Sequence, residues 1–153
     1  DDCDAVFGLH IVTKLPVGKI SIKKGPAMAA PDEFNIKIIG TGTHASAPHT
    51  GQDPILIASQ VVQALQNIVS RNISPTDSAV ISVCTINGGT AFNIIPESVN
   101  MSGTIRTLNN DTRNFIFKRI DETVKHITQL PPAVPPPCRD NCRLALLVFA
   151  TTV

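Results

Sequence analysis

Apolar and polar side chains alternate over Glu33–Ile39: Phe34, Ile36 and Ile38 share one face, with Asn35, Lys37 and the apolar Ile39 on the other. That period of two predicts a strand with one face on a core. The pattern then changes. Asp53-Pro54 is a helix start, an acceptor for free N–H groups followed by proline at the first helical position. Leu56, Ile57, Val61, Ala64, Leu65, Ile68 and Val69 recur at three- and four-residue steps to about Ser70, one stripe for covering a sheet. Ala79–Ile86 is β-rich and stops at Asn87-Gly88-Gly89-Thr90. Ser98–Thr107 alternates again, Val99, Met101, Gly103 and Ile105 on one face, Asn100, Ser102, Thr104 and Arg106 on the other. Asn109-Asn110-Asp111 opens a second helix to about Thr128, striped by Phe115, Ile116, Ile120, Val124 and Ile127. Strand, helix, strand, strand, helix is one strand short of a split βαβ sandwich. The expected fold is α+β and ferredoxin-like, an antiparallel sheet with two helices on one face.

The flanks read differently. Ala5–Val12 has the composition of a short buried strand carrying His10 near its end, yet nothing upstream can pair with it, so the chain is expected to start inside a larger protein. Leu15-Pro16-Val17-Gly18 is a turn, Lys19–Lys24 alternates like a half-buried strand, and Gly25–Pro31 is a hinge of small residues between prolines. Beyond residue 130, Leu130–Pro137 holds five prolines and cannot pair within a sheet. The sheet is therefore expected to lack its normal last strand, for which the apolar Leu144–Val153 is the sole candidate. This gives three segments: 1–31, a strand plus hinge; 32–129, the sandwich; 130–153, a proline-rich irregular tail, which a frameshifted reading frame would explain. An unfilled sheet edge predicts self-association.

Composition narrows the function classes. The 153 residues are 16% charged with a formal net charge of +1 and contain neither Trp nor Tyr, which leaves no basic footprint and no stacking platform for nucleic acid. No apolar run reaches the roughly eighteen residues of a membrane-spanning helix. The four cysteines are scattered, and Cys138 and Cys142 lack the spacing of a zinc knuckle, so a reducing, cytoplasmic setting is expected.

The polar residues at loop and strand ends are His44, Asn93 and Arg106, with His10 apart in the first segment. His44 lies in Gly40-Thr41-Gly42-Thr43-His44-Ala45-Ser46-Ala47-Pro48-His49, between a strand and a helix N-terminus, where negative charge is favoured. His and Asn can hold a developing oxyanion, and Arg is a bidentate carboxylate partner. Read without function, the same residues are a polar loop, a solvated arginine and a structural histidine. No His-x-x-x-His, no paired carboxylates near a histidine and no Gly-x-Ser-x-Gly are read in the sequence, so the residues alone support a ligand-contacting module.

Phe7-Gly8-Leu9-His10, the Gly40–His49 run, Asp53-Pro54-Ile55, Ile68-Val69-Ser70-Arg71, Gly88-Gly89-Thr90-Ala91-Phe92-Asn93-Ile94-Ile95-Pro96 and Gly103-Thr104-Ile105-Arg106-Thr107 occur in unbroken order over residues 5–128. Together they resemble the metal-dependent amidohydrolases that include hippurate hydrolase, N-acyl-amino-acid amidohydrolases and auxin-conjugate hydrolases. The resemblance implies a two-domain enzyme that cleaves the amide of N-acyl amino acids or small peptides with a metal-activated water. It implies a two-metal centre, zinc or manganese, in the full-length parent, and an inserted ferredoxin-like lid that forms homodimers. Residues 32–129 correspond to that lid. By the same resemblance His10 stands at a metal-ligand position, His44 at the catalytic lid histidine, which in dimers often reaches the neighbouring subunit's site, and Asn93 and Arg106 at substrate contacts. The Cys-Gly-His-Asp metal loop, the Glu-Glu pair with the general base and the C-terminal ligand histidine of the family are not in this sequence. This chain alone is expected to bind no metal tightly and to be inactive, a fragment or, alternatively, a non-catalytic dimerisation or small-carboxylate-binding module.

Overall fold

The central strand β1 (Ala30–Ile39) is held from both sides. The computed structural model describes residues 3–5, 7–128 and 144–147, the last four by backbone alone. β1 pairs antiparallel with β5 (Ser98–Thr107), Ile39 opposite Ser98 and Ala30 opposite Thr107, and β5 pairs antiparallel with β3 (Ala79–Gly88). Two short strands, β2 (Thr43–His44) and β4 (Ile94–Ile95), form a separate ribbon. The helices are α1 (Pro54–Asn67), continued by a wider turn over Ile68–Asn72, and α2 (Asn110–Thr128).

The predicted periodicities select the core. Phe34, Ile36 and Ile38 of β1 and Val99, Met101 and Ile105 of β5 are buried beneath Ala58, Val61 and Leu65 of α1 and Ile116, Ile120 and Val124 of α2. Both helices thus cover one sheet face, and the outward residues of the alternation line the bare face. Asp53 caps α1 as expected: its Oδ1 accepts from the Ile55 and Leu56 amides at 2.8 and 3.3 Å. Asn109 Oδ1 does the same for Thr112 at 2.7 Å. Leu56 departs from the expected stripe and is exposed: Pro54, Ala58, Val61 and Leu65 hold the inward phase at steps of three and four, and Leu56 falls between them on the outer side.

With β6 at Leu144–Leu147, the sheet order β3-β5-β1-β6 is that of the split βαβ sandwich, an antiparallel sheet with two helices. The expectation of a missing last strand is corrected. β6 (Leu144–Leu147) pairs antiparallel with β1, Ile38 opposite Leu144 and Asn35 opposite Leu147, so the apolar start of the final segment fills part of the edge. The proline run, the Cys138–Cys142 pair and residues 148–153 lie outside the described residues.

Two further strands were expected and do not form. Ala5, residues 7–12 and residues 19–24 have no regular structure, and Phe7, Leu9, Ile11, Ile20 and Ile22 are exposed. Their patterns suit strands, but a strand is stable only beside partners, and among the described residues none reaches them.

A feature missed by pattern reading pins α2 to the sheet. Asp32, two residues before Phe34 and on the same inward face, is 1% exposed. Its oxygens accept from Arg113 of α2, Nη2 at 2.6 Å and Nε at 2.7 Å, and the guanidinium lies 5.1 Å from the Phe117 ring centroid. The hydrogen bonds it donates to Asp32 raise the arginine's pKa above its ordinary value, against the opposing effect of burial.

Candidate functional site

His44 sits on a braced loop that leaves β1 and returns to α1. Gly40 donates its amide to the Glu97 carbonyl at 2.8 Å, and Thr41 and Gln52 exchange backbone hydrogen bonds at 3.0 and 3.3 Å, closing the loop at its neck. A side chain at Gly40 would run into the Gln52 carbonyl and come within 2.9 Å of Pro54, so glycine is needed here for close approach of two backbones. Inside the loop, Thr43 Oγ1 and Thr50 Oγ1 lie 2.6 Å apart, and Thr50 Oγ1 donates to the Ala47 carbonyl at 2.8 Å. His44 to Ala47 is a turn closed by Ala47 N–H to His44 O at 2.8 Å.

The ribbon brings a second candidate to this loop. Thr43 lies opposite Ile95 and His44 opposite Ile94, and the Ala45 amide donates to the Asn93 carbonyl at 2.9 Å. Residues far apart in sequence, His44 and Asn93, are therefore neighbours on one two-stranded scaffold, both exposed. A shallow depression of about 310 Å³, lined by Gly89, Thr90, Ile94, Pro96, Glu97 and Ser98, opens beside it.

Arg106 is not part of this cluster. It projects from the bare face near the far end of β5, opposite Pro31 of β1 and Val80 of β3. It lies eight residue steps along the strand from Ser98, about 26 Å at the usual rise of a strand. Around it is an open depression of about 350 Å³ with Glu33, Asn35, Ser102 and Thr104 on its walls. Among the described residues no acidic side chain forms an ion pair with Arg106, which leaves its fork for an external anion.

His10 stands apart in the irregular first segment, exposed, its Nδ1 2.8 Å from the Ile11 carbonyl oxygen. Among the described residues no group of three His, Cys, Asp or Glu converges. A catalytic zinc takes about three protein ligands. These residues do not by themselves fit a metal centre, and His10 can offer one ligand at most.

Sequence reasoning missed Ser46, whose amide and hydroxyl both lie on the His44 ring, at 3.1 and 2.7 Å from Nδ1. The available signal was a serine two residues after a histidine, at the tip of a turn ended by Ala47-Pro48.

Comparison with known proteins follows the same segment. The profile of the peptidase dimerisation domain family matches residues 32–129. The N-acetyl-L-cysteine deacetylase of Bacillus subtilis is 46% identical over 128 residues, covering 84% of this chain and 31% of that enzyme. The hippurate hydrolase of Campylobacter jejuni is 44% identical over 131 residues, covering 84% of this chain and 33% of the enzyme. A solved structure described as a dinuclear metal-binding peptidase of the M20 family, also from Bacillus subtilis, superposes with a TM-score of 0.57 at 33% identity, covering 77% of this chain and 27% of its own. The chain thus spans about a third of the length of the curated relatives it matches. From the first residues of β1 through the end of α2, sequence profile and sheet order agree, and this chain belongs to the peptidase dimerisation domain family.

Proposed function

We propose that this chain is the lid and dimerisation segment of a metal-dependent hydrolase that cleaves the amide bond of N-acyl amino acids or small peptides. The observation that carries the reading is the β2–β4 ribbon, which fixes His44 and Asn93 side by side on an exposed, cross-braced scaffold. In this role the His44 ring and the Asn93 amide donate to the reacting carbonyl oxygen as negative charge develops on it. Arg106 binds the carboxylate of the amino acid in a forked pair. The relatives' names, a deacetylase of N-acetyl-L-cysteine and a hydrolase of hippurate, both describe acylated amino acids and support this substrate class.

One small substrate cannot span about 26 Å of strand. A homodimer resolves this, His44 and Asn93 of one copy facing a substrate whose carboxylate is held by Arg106 of the other. β3 supports such pairing: it is a ten-residue edge strand with one side unpaired among the described residues, and Val80 and Ile86 on it are half exposed. Residues 1–31 then belong to the domain that precedes the lid, with the hinge at 25–31, and His10 gives one ligand to a zinc or manganese centre completed by residues outside this chain.

A second reading, a non-catalytic dimerisation or small-carboxylate-binding module, is favoured by the isolation of His10. Metal content and hydrolysis of N-acetyl- and N-benzoyl-amino acids separate the two. The chain alone, given zinc or manganese, is expected to hold no stoichiometric metal and to turn nothing over. The complete protein is expected to be active, with His44→Ala lowering kcat by roughly 100- to 1,000-fold. A complete protein whose kcat/KM is unchanged by His44→Ala refutes the hydrolytic role.

A further inference from the structure

We propose that Ser46 is a positioning residue that holds the His44 ring in a single tautomer, with its proton on Nε2, so that the ring can only donate to a ligand oxygen. This rests on the reading of His44 as a substrate contact, and it adds what kind of contact that is. A backbone N–H has no lone pair to offer, so the Ser46 amide at 3.1 Å from Nδ1 must donate, and Nδ1 must be the unprotonated nitrogen. The Ser46 hydroxyl at 2.7 Å then donates to the same lone pair. In a neutral imidazole the remaining proton sits on Nε2.

The other two histidines with ring contacts are set the opposite way. His10 Nδ1 faces the Ile11 carbonyl at 2.8 Å, and His126 Nδ1 faces the Glu122 carbonyl at 2.6 Å. A carbonyl oxygen can only accept, so both rings carry their proton on Nδ1 and present a bare Nε2. Such a nitrogen can bind a metal or take a proton. His44 cannot do either from Nε2 while Ser46 occupies Nδ1. It is a neutral electrophilic donor, suited to a carbonyl, an oxyanion or a carboxylate and unsuited to a ligand that donates. The braced turn contributes to this, because the Ala47 amide bond to His44 O places the Ser46 amide over its own histidine.

The test is the long-range proton–nitrogen correlation spectrum of the isotopically labelled chain at about pH 8, above the ordinary histidine range. His44 is expected as the Nε2–H tautomer, with His10 and His126 as internal controls of opposite pattern. Ser46→Ala removes the hydroxyl and leaves the amide, and should shift the His44 tautomer ratio by roughly two- to tenfold toward Nδ1–H. Ser46→Thr restores the hydroxyl and should restore the ratio. A backbone amide spectrum unchanged outside the loop shows that the fold is kept. The proposal is overturned if His44 is mostly Nδ1–H, or if Ser46→Ala leaves the ratio where it was. In the complete protein Ser46→Ala should lower kcat with little change in KM. If the tautomer shifts as expected while neither Ser46→Ala nor His44→Ala alters hydrolysis, positioning stands and the substrate reading falls.

Discussion

Breaking the Asp32–Arg113 pair should cost more from one side than from the other. Asp32 is 1% exposed, and both of its oxygens are taken by the Arg113 fork, while the Arg113 side chain is 19% exposed. Arg113→Ala strands a carboxylate where water cannot reach it, a loss of about 4 kcal/mol. Asp32→Ala leaves a guanidinium that can turn outward, which brings its loss down to about 2.5 kcal/mol. The double variant removes the charge along with its partner and should lose about 4 kcal/mol, giving a coupling energy of about 2.5 kcal/mol. Arg113→Lys keeps the charge without the fork and should fall between, preserving the comparison if Arg113→Ala fails to fold. Urea unfolding is best followed by far-ultraviolet circular dichroism, since the chain has no Trp or Tyr. Additivity of the two single changes to within about 0.5 kcal/mol would refute the pairing argument, and so would a larger loss from Asp32→Ala than from Arg113→Ala. The pH dependence has a definite sign. The folded arginine's pKa is raised, so the stability it reports is complete below the unfolded arginine's value and is lost only as pH climbs through the folded one. On its alkaline side the pair should be indifferent to pH up to about 11.

Three further changes probe other parts of the argument. Asp53→Ala leaves two amides of α1 without their acceptor and should destabilise by about 1 kcal/mol, seen as a fall of a few degrees in the thermal midpoint. Gly103→Ala drives a methyl group into the Ser82 carbonyl and the Phe34 ring, so it should destabilise as severely as a core truncation, measured by the urea midpoint. Ile120→Ala, fully buried on α2, should cost about 3 kcal/mol with an unchanged urea dependence.

The sandwich was legible because its elements carry their own periods: Phe34, Ile36 and Ile38 at two, Ile116, Ile120 and Val124 at four. The closing strand was less so. Leu144–Leu147 is separated from β1 by a run that argues against pairing, and only the three-dimensional register shows where it docks. Ala5–Val12 shows the reverse failure, since a pattern can promise a strand without supplying the neighbour that makes one. Within the candidate site, His44, Asn93 and Arg106 stood out as polar residues at element ends. Their grouping did not, because a two-residue ribbon leaves no periodic trace and because β5 carries Arg106 away from the other two. Asp32 was hidden by habit: an inward carboxylate breaks an apolar alternation and reads as its boundary. Its place two residues before Phe34 and the Arg113–Phe117 spacing on α2 were the available signals.

The position of β1 at the centre of the sheet has a consequence for how the chain is made. Every partner of this strand comes late: Ser98, opposite Ile39, follows it by 59 residues, and Thr107, opposite Ala30, follows it by 77. At a synthesis rate of roughly 5–20 residues per second, Phe34, Ile36 and Ile38 wait several seconds before β5 emerges. Among the described elements made in that interval, α1 is the one that packs over them. The first half of the domain therefore leaves the ribosome as an apolar strand under a single helix, and it commits to the final register only when β5 slides between β1 and β3.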